Sequence, residues 1–458
     1  MRRHVSTNNL SSTIKIRHSS SLQSCAFFFY TELSQVHNIL AKVQFLKKHR
    51  FTSKEHRFIS KEHRFISKNH RFVSKKTVFY LLIKRLVAFC FHTIKIIANF
   101  AEMKVYFYHT QDIQYILKRM GEGEFPPHYL YGAAKLERHG IGVVWHKAKL
   151  GLPRWRMMLR NAWQVLTCKE HFDAVYATHY RGLELIVLLR ALRLFRKPVV
   201  IWHHQPIVNS PKRWREWLGR LFYKGFDRMF FFSQKLIDDS LLTAKADPTR
   251  MVLGHWGADL DFYDRVIAAT DGTHDGFVST GKEMRDMPTL VNAFNATGAD
   301  LDIYVARVTG DVSYEHIFGK LPMRRNIRLK FVERLIPYEL SLIVARAECV
   351  AICCQETKYT VGLTTVVEAM AMGLPMICSR NPQIPVDIDA TRCGIAVNYG
   401  DVEGWKRAID FMRNHPDEAR AMGQRGRQLA ETTFNDVRCA AEVAEVLKEV
   451  IEEQHKRF

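Results

Sequence analysis

From Met103 onward, short apolar runs alternate with longer stretches whose apolar positions recur every 3.6 residues. This alternation is typical of parallel β-sheets that are covered on both faces by helices. In the first half, the periodic stretches predict helices at Pro127–His139 and Leu183–Leu194. The candidate strands of this half are Val105–Tyr108, Gly142–Trp145, Ala174–Ala177, Val199–Trp202 and Met229–Phe232. Ligands of such sheets bind in the loops that follow the carboxyl ends of the strands, so these loops should decide the function.

A polar stretch from Ala268 to Asp275 separates the first half from a second half of the same kind, and we interpret this stretch as a linker. The second half opens with an apolar run at Phe277. Its later strands are predicted at Ile327–Phe331, at Cys349–Cys354, from Ile377 onward and at Cys393–Val397. Helical periodicity dominates from Val402. We therefore predict an α/β protein with two Rossmann-like, doubly wound domains, at residues 103–267 and 276–435, which face each other across a binding cleft.

Residues 1–102 differ from the rest of the chain. A seven-residue unit runs four times between His49 and Lys76. The repeat has two interpretations: a basic amphipathic helix for lipid or nucleic acid, or a translated tandem repeat that forms a disordered or weakly helical tail, which we favour. The apolar segment 78–97 is interrupted by Lys84, Arg85 and Lys95, so it predicts an interfacial helix rather than a membrane span. We predict that residues 1–102 are a non-globular extension and that the physiological start is Met103.

The net charge of +22 would ordinarily suggest nucleic acid or an anionic membrane as a partner. Its distribution argues otherwise, because residues 1–102 carry +15 of this charge and the remaining 356 residues only +7. We therefore predict no specific nucleic-acid partner. The nine cysteines include no C-x-x-C pair, which favours reduced structural thiols over a metal site. A reducing compartment follows, so we predict a cytoplasmic protein.

The clearest chemical signal is the stretch Gly362–Ile377, in which a glycine opens a short helix and a second glycine closes it. Gly362 lets the backbone approach a ligand, and the amides of the following helix turn favour an anion such as a diphosphate. The hydroxyls of Thr364 and Thr365 can add donors. Glu368 lies one turn further on among apolar residues, where a carboxylate is costly unless hydroxyls or a cation pair with it. A sugar nucleotide offers such partners.

This stretch resembles the nucleotide-sugar-binding segment of the retaining glycosyltransferases of family 4, also called glycosyl transferases group 1, which have the two-domain GT-B fold. The E-A-M-A-M-G-L-P sequence from Glu368 matches the family pattern, and the resemblance implies that Glu368 binds the ribose hydroxyls. The family has another glutamate eight residues earlier, where this chain has Thr360, and the nearest upstream acid is Glu356. The resemblance also implies that a last helix, at 436–458, crosses back to the first domain.

The resemblance extends to the loop that follows the run at Phe277. Family members have a glycine here, followed by two basic groups ahead of a helix. The corresponding residues are Gly281, Lys282 and Arg285. Their cations would neutralise a diphosphate and stabilise the leaving nucleotide, whereas the alternative is a solvated charge cluster.

Histidines follow two predicted strands of the first half: His109 follows the first, and His203 and His204 follow the fourth. These positions are where a substrate would lie, and family members often have a histidine near the transferred sugar. We select His109 and His204 as catalytic candidates. The alternative is that each histidine caps its loop by hydrogen bonding.

The sequence thus predicts a glycosyltransferase that moves a sugar from a UDP- or GDP-sugar to a hydroxyl of a polysaccharide, lipid-linked or small-glycan acceptor, with peripheral membrane contact and no cofactor. The family implies retention. We expect metal independence, because Asp238-Asp239 and Asp300-x-Asp302 look like surface acids of a helix and a loop rather than a metal-binding pair. The alternatives are a GT-B epimerase or phosphorylase, and a basic-tail membrane or nucleic-acid binding protein without catalysis.

Overall fold

The computed structural model of the chain describes residues 103–281, 283–332 and 336–457. The predicted extension 1–102, with its repeat and its interfacial helix, lies outside the described residues, and so does Lys282. Within the described ranges the structure contains two six-stranded sheets, both parallel throughout, and a short two-stranded ribbon. Two α/β domains of the predicted class are therefore present.

The first sheet has the strand order β2-β1-β3-β4-β5-β6. Its strands are β1 (Met103–Tyr108), β2 (Ile141–Trp145), β3 (Ala174–Ala177), β4 (Val199–His203), β5 (Arg228–Phe231) and β6 (Met251–Leu253). The five predicted strands are confirmed, whereas β6 was not predicted. Every residue of β3 and β4 is buried, because helices cover both faces of the sheet, and such strands have continuous apolar sequences.

The helices of the first half are α1 (Ile113–Gly121), α2 (Arg154–Leu166), α3 (Glu184–Ala191), α4 (Arg213–Tyr223), α5 (Gln234–Leu241) and α6 (Leu260–Ala268). The predicted helix Pro127–His139 is wrong as a single element. It forms two 3₁₀ helices, Pro127–Leu130 and Ala133–His139. Tyr131 and Gly132 between them both have positive φ, which an α-helix cannot continue. A Cβ on Gly132 would lie 2.8 Å from the Cα of Ala440, so the close approach of the last helix requires glycine there.

The second sheet has the order β11-β8-β7-β12-β13-β14. Its strands are β7 (Phe277–Thr280), β8 (Leu301–Val305), β11 (Ile327–Phe331), β12 (Cys349–Ile352), β13 (Met376–Ser379) and β14 (Gly394–Val397), and the ribbon pairs β9 (Val308–Thr309) with β10 (Val312–Ser313). β8 was not predicted. Asp302 therefore lies on a strand, where it pairs with Arg328, and not on a surface loop as we expected.

The helices of the second half are α7 (Met287–Thr297), α8 (Tyr314–Phe318), α9 (Pro337–Val344), α10 (Leu363–Ala371), α11 (Ile388–Thr391), α12 (Val402–Asn414), α13 (Pro416–Thr432) and α14 (Asp436–Arg457). The last of these, α14, packs against the 3₁₀ helix Ala133–His139 and against β3 of the first sheet. None of the helices in the described ranges is both long and apolar enough to cross a bilayer.

A buried charge cluster joins the two halves where the chain crosses between them. Lys135 forms ion pairs with Asp259 and Asp436, and all three side chains are buried. Burial raises the pKa of Asp436 to about 6, although the Lys135 ammonium partly offsets the shift. Gly257 lies directly against Phe434, and Ala258 forms a β-bridge with Asn435. The two crossing segments are thus in contact at the base of the cleft.

Candidate active site

Helix α10 begins at a backbone conformation that favours glycine. Gly362 has φ +90, and a Cβ at this position would lie 3.2 Å from Ile352 and 3.3 Å from the sulfur of Cys354. No side chain caps the helix N-terminus. Thr364, in the first turn, is exposed. First-turn amides without a side-chain acceptor, together with the helix dipole, make a binding position for an anion.

Arg285 lies against this first turn, although it is 78 residues earlier in the chain than Leu363. Its guanidinium donates from Nε to the carbonyl oxygen of Thr280 (3.0 Å), from Nη1 to the sulfur of Cys354 (2.8 Å) and from Nη2 to Oγ1 of Thr365 (3.1 Å). The side chain is buried. In the part of the chain that the structure describes, no carboxylate oxygen lies within 4.0 Å of the guanidinium nitrogens. The buried cation is therefore fixed in place without a described carboxylate in direct ion-pair contact.

Gly281 makes room for this guanidinium. Its φ is +126, and a Cβ there would lie 2.1 Å from Nη2 of Arg285. A larger residue would collide with the cation as well as strain the backbone. The structure therefore brings together Gly281, Arg285, Gly362 and Thr365 from the predicted set, while Thr365 uses its hydroxyl to accept from Arg285.

Glu368 lies further along α10, partly buried in the wall between the two halves. The hydroxyl of Tyr129 donates to Oε1 of Glu368 at 3.3 Å. Burial raises the pKa of Glu368 to about 7, and the hydroxyls of Tyr263 and Tyr129 and the charge of Arg285 partly offset the rise. Glu368 thus has hydroxyl partners and a nearby cation from the protein itself. At neutral pH its carboxyl group is close to half ionised.

The sequence analysis missed both tyrosines. Tyr129 belongs to the first half and is 239 positions away from Glu368, and no motif marks it. Tyr263 lies in α6, which ends where the predicted linker at the domain junction begins. Proximity to that junction is the one signal that could have suggested Tyr263.

A narrow cleft that opens to solvent lies between the halves next to Glu368. Both halves contribute to its lining, which is mixed polar and apolar. The lining residues are Tyr129, Thr280, Pro337, Leu340, Ser341, Val344, Thr365, Glu368 and Met372. The cleft thus combines a carboxyl group, four hydroxyl side chains and an apolar wall from α9, which are the kinds of group that contact a ribose and a base.

His109 and His204 follow β1 and β4 at the carboxyl edge of the first sheet, and His179, which the sequence analysis did not select, follows β3 between them. The ring centroids of His179 and His204 are 5.5 Å apart. Burial, together with the neighbouring imidazoles, lowers the pKa of His109 and of His204 to about 4. Burial also lowers the pKa of His179. All three rings are therefore neutral at pH 7.

The hydrogen bonds of these rings fix their tautomers. Nδ1 of His109 accepts from the amide of Gln111 at 2.9 Å, so the proton of this neutral ring is on Nε2. Nε2 of His204 donates to the carbonyl oxygen of Thr178 at 2.9 Å, so Nδ1 is left as an acceptor. His203 is buried and bonds to Gln205 and Tyr223 within the fold. Nδ1 of His179 accepts from the amide of Arg181 at 2.8 Å, so its proton is also on Nε2. The three rings of the edge thus carry an N–H on His109, an N–H on His179 and a lone pair on Nδ1 of His204.

The loop Cys354–Val361 lacks the second carboxylate that the family pattern would supply. Thr360 is partly buried, and its carbonyl oxygen accepts from the amide of Leu363. Glu356 is exposed on the same loop. The described residues also contain no group of three or more His, Cys, Asp or Glu side chains arranged to hold a metal ion. Asp238 and Asp239 lie on helix α5, as expected.

Residues 322–429 match the family model described as glycosyl transferases group 1. The match contains Gly362, Thr364, Thr365 and Glu368. It includes neither Arg285 nor any of the three edge histidines. The chain therefore carries a glycosyl transferases group 1 domain, and it is a glycosyltransferase.

One curated relative is an MMP alpha-(1->4)-mannosyltransferase from Mycolicibacterium hassiacum. It is 29% identical over 324 residues, which span 66% of this chain and 76% of the relative. The similarity therefore extends well beyond the matched domain.

Solved structures share the fold at low sequence identity. HepE from Anabaena, solved with UDP, superposes with a TM-score of 0.54 at 14% identity, over 76% of this chain and 100% of HepE. Sucrose-phosphate synthase from Thermosynechococcus elongatus gives a TM-score of 0.57 at 16% identity, over 77% of this chain and 100% of that protein. The two-domain architecture is thus the GT-B fold.

Proposed function

We propose that this chain transfers a hexosyl or related sugar from a nucleotide-diphosphate donor to a hydroxyl group of its acceptor, with retention of anomeric configuration and without a metal ion. One observation carries the proposal: the buried Arg285 guanidinium, which has no carboxylate oxygen within 4.0 Å among the described residues, lies against the uncapped first turn of α10. A cation and a helix N-terminus at one point suit a diphosphate.

The proposed roles follow from this arrangement. Gly281, Arg285, Gly362, Thr364 and the α10 amides bind the diphosphate and stabilise the charge that develops on the leaving nucleotide. Lys282 would add a second cation. Thr365 holds Arg285 in position.

Glu368 in its ionised form accepts hydrogen bonds from the ribose hydroxyls, beside the apolar wall of the cleft. His109 and His204 contact the transferred sugar or the attacking hydroxyl from the opposite half. For the domains as wholes, we propose that residues 103–267 bind the acceptor and that residues 276–435 bind the donor. The helix at 436–458 joins the two domains.

The donor and acceptor are proposed as classes. The curated relative is a mannosyltransferase, HepE was solved with UDP and with UDP-glucose, and a trehalose-6-phosphate protein of E. coli was solved with UDP-2-fluoro glucose. The neighbours' names support a UDP-sugar as donor, and we propose a GDP-sugar as the second donor class. The acceptor is a polysaccharide, a lipid-linked sugar or a small glycan, and we propose that the reaction takes place in the cytoplasm.

The test uses the full-length chain. UDP, GDP and their common sugar conjugates are added one at a time, and the shift in thermal unfolding is measured for each. At least one diphosphate should stabilise the protein, and both Arg285→Ala and Glu368→Ala should weaken this effect. Arg328→Ala is the matched control, because Arg328 is an exposed arginine on β11 of the second sheet that pairs with Asp302.

If no nucleotide diphosphate stabilises the wild-type chain, the proposed donor class is wrong. A labelled donor then distinguishes the reactions: transfer gives a labelled acceptor, whereas an epimerase gives an isomerised sugar and a phosphorylase gives a sugar phosphate. Proton NMR of the new glycosidic bond tests retention. Unchanged turnover in EDTA supports metal independence, and loss of turnover that Mg²⁺ or Mn²⁺ restores would refute it.

A further inference from the structure

Helix α2 has an apolar stripe on its solvent-facing side. Trp155, Leu159, Trp163 and Leu166 recur at intervals of four, four and three residues, so they lie along one side of the helix. All four are exposed, with fractions of 57% for Trp155 and 69% for Trp163. The opposite side packs on the protein through Asn161, Ala162 and Val165. Because α2 packs on the protein through these other residues, the exposed stripe is not needed to hold the helix in place.

Helix α4 shows the same feature. None of its eleven residues is fully buried. Trp214 and Trp217 are exposed by 59% and 68%, and Leu218 is exposed beside them. Four of the eight tryptophans of the chain thus lie exposed on two helices of the first half. Exposed apolar stripes of this kind mark interaction sites.

The two helices belong to one layer. α2, α3 and α4 follow β2, β3 and β4, and each of these connections runs in the same direction along the sheet, so right-handed crossovers place the helices on one face. α3 packs against both neighbours. We call the exposed side of this layer the tryptophan face; it consists of Trp155, Leu159, Trp163, Leu166, Trp214, Trp217 and Leu218.

The tryptophan face is strongly basic. Residues 145–166 contain five Lys and Arg and no acid, and residues 206–223 contain four Lys and Arg and one acid. That acid, Glu216, pairs with Lys245 at 2.9 Å and accepts from the amide of Ser210. The guanidinium groups of Arg156 and Arg215 lie 5.0 Å and 5.2 Å from the rings of Trp155 and Trp214. Arg154 pairs with Glu184 of α3, and Arg220 pairs with Glu216. Arg156 and Arg215 form no ion pair with a described residue, so the exposed indoles are interleaved with cations that are only partly neutralised.

We propose that the tryptophan face docks on the surface of an anionic lipid bilayer. Tryptophan is favoured at the headgroup level, where its ring is apolar and its N–H is hydrated. Arginine and lysine next to it attract anionic headgroups and extend their charges toward them. The helices would lie in the plane of the interface, as basic amphipathic helices do.

The location of this face also favours one of the three acceptor classes. The hydroxyl of Tyr108, at the end of β1, donates to the carbonyl oxygen of Arg181 just before α3 (2.7 Å) and accepts from Asn161 of α2 (3.1 Å). His109 is the next residue. The layer thus reaches the edge at which the proposed catalytic histidines lie, so a docked protein would receive a lipid-linked acceptor. This choice of acceptor rests on the proposed function, whereas the docking does not.

The test measures co-sedimentation of the full-length chain with vesicles of phosphatidylcholine alone and of phosphatidylcholine mixed with phosphatidylglycerol. Binding is expected with the anionic vesicles and should weaken as salt is raised. The double variants Trp155→Ser/Trp163→Ser and Trp214→Ser/Trp217→Ser should each reduce the affinity by at least about tenfold. The matched control is Val308→Ser/Val437→Ser, which removes two exposed apolar side chains elsewhere and should leave binding unchanged.

Several results would overturn the docking. The first is that the wild-type chain fails to bind anionic vesicles, and the second is that it binds neutral vesicles equally well. A third is that the tryptophan variants bind as tightly as the wild type, which would assign the membrane contact to residues 1–102 instead. A fourth is that the variants change the oligomeric state or the binding of a DNA or RNA oligonucleotide and leave vesicle binding intact. Nucleotide-diphosphate binding, measured in parallel, should be normal in every variant, so a failure of the docking and a failure of the proposed donor site remain distinguishable.

Discussion

The donor side and the acceptor side of the cleft are organised differently. On the donor side, Arg285 is buried and makes three hydrogen bonds within the protein, and Glu368 has a tyrosine hydroxyl within 3.3 Å. On the acceptor side, three neutral histidines follow three different strands, beside a layer that exposes four tryptophans. The donor groups are thus held in place before a ligand binds, whereas the acceptor half presents neutral polar groups and a large apolar surface.

The difference fits the donor and acceptor roles that we propose for the two sides. A diphosphate carries the same charge in every nucleotide sugar, so a fixed cation and fixed amides suit it, and their preorganisation costs nothing when the donor binds. Acceptors differ in size and in attachment, and loops at strand ends can vary without disturbing the sheet. Variants on the two sides should therefore separate donor affinity from acceptor turnover.

The largest effect is expected for Arg285→Ala. Loss of the charge and of its hydrogen bonds should weaken nucleotide-diphosphate binding by about 100-fold, equivalent to about 3 kcal/mol. Titration calorimetry with the nucleotide identified by the thermal screen measures this directly. If the affinity of this variant equals that of Arg328→Ala, the cation does not bind the diphosphate and the donor side loses its main element.

Next in size is a pH effect from Glu368, whose pKa is raised from 4.5 to about 7 in the folded chain. Between these values the folded chain holds a proton that the unfolded chain has lost. This contribution to the free energy of unfolding is therefore complete below pH 4.5 and is lost as pH rises through 7, by at most about 3 kcal/mol. Glu368→Gln should flatten that part of the pH dependence in chemical denaturation.

Nucleotide binding should show the opposite trend, because the ionised carboxylate is the better acceptor for ribose hydroxyls. Affinity should rise with pH through about 7 in the wild type and stay level in Glu368→Gln. Parallel pH profiles for the two proteins would contradict the assignment of Glu368 to the ribose.

A smaller effect is expected for Gly281→Ala, which places a Cβ 2.1 Å from the Arg285 guanidinium. The variant should lose about 2 kcal/mol of stability and about tenfold in donor affinity, because the cation must move. Gly310→Ala is the matched control: its φ is +58, but no atom lies within 4 Å of the added Cβ. Thermal unfolding and donor titration of both variants separate backbone strain from collision, and equal results would show that the collision is relieved without cost.

The smallest effects are expected on the acceptor side. His109→Ala and His204→Ala should each lower turnover by about tenfold and leave donor affinity unchanged, since neither touches the donor groups. Both pKa values are near 4, so both rings stay neutral from pH 6 to pH 8. Titration of these two histidines should therefore cause no change in wild-type turnover over that range. Steady-state kinetics with varied donor and acceptor provide the measurement, and a change confined to the donor KM would place the histidines on the donor side instead.

Much of the fold was predictable because buried parallel strands leave continuous apolar runs, as at Ala174–Ala177, which the sequence placed correctly. β8 was missed because Asp302 interrupts its apolar run at a partly exposed position. The helix Pro127–His139 was misplaced because its break depends on positive φ values at Tyr131 and Gly132, where α14 approaches. A local pattern cannot register a neighbour more than 300 positions away.

The sequence by itself determined the two α/β halves, the glycosyltransferase motif from Gly362 to Glu368, and the basic groups that precede it. These features depend on residues within one helical turn or one loop, so spacing is enough to reveal them. Only the tertiary structure decided that Cys354 and Thr365 hold Arg285, that Tyr129 of the other half reaches Glu368, and that the histidines converge. Those contacts arise when two sheets pack and bring distant strand ends together, and no periodicity in the chain encodes which side chains then meet.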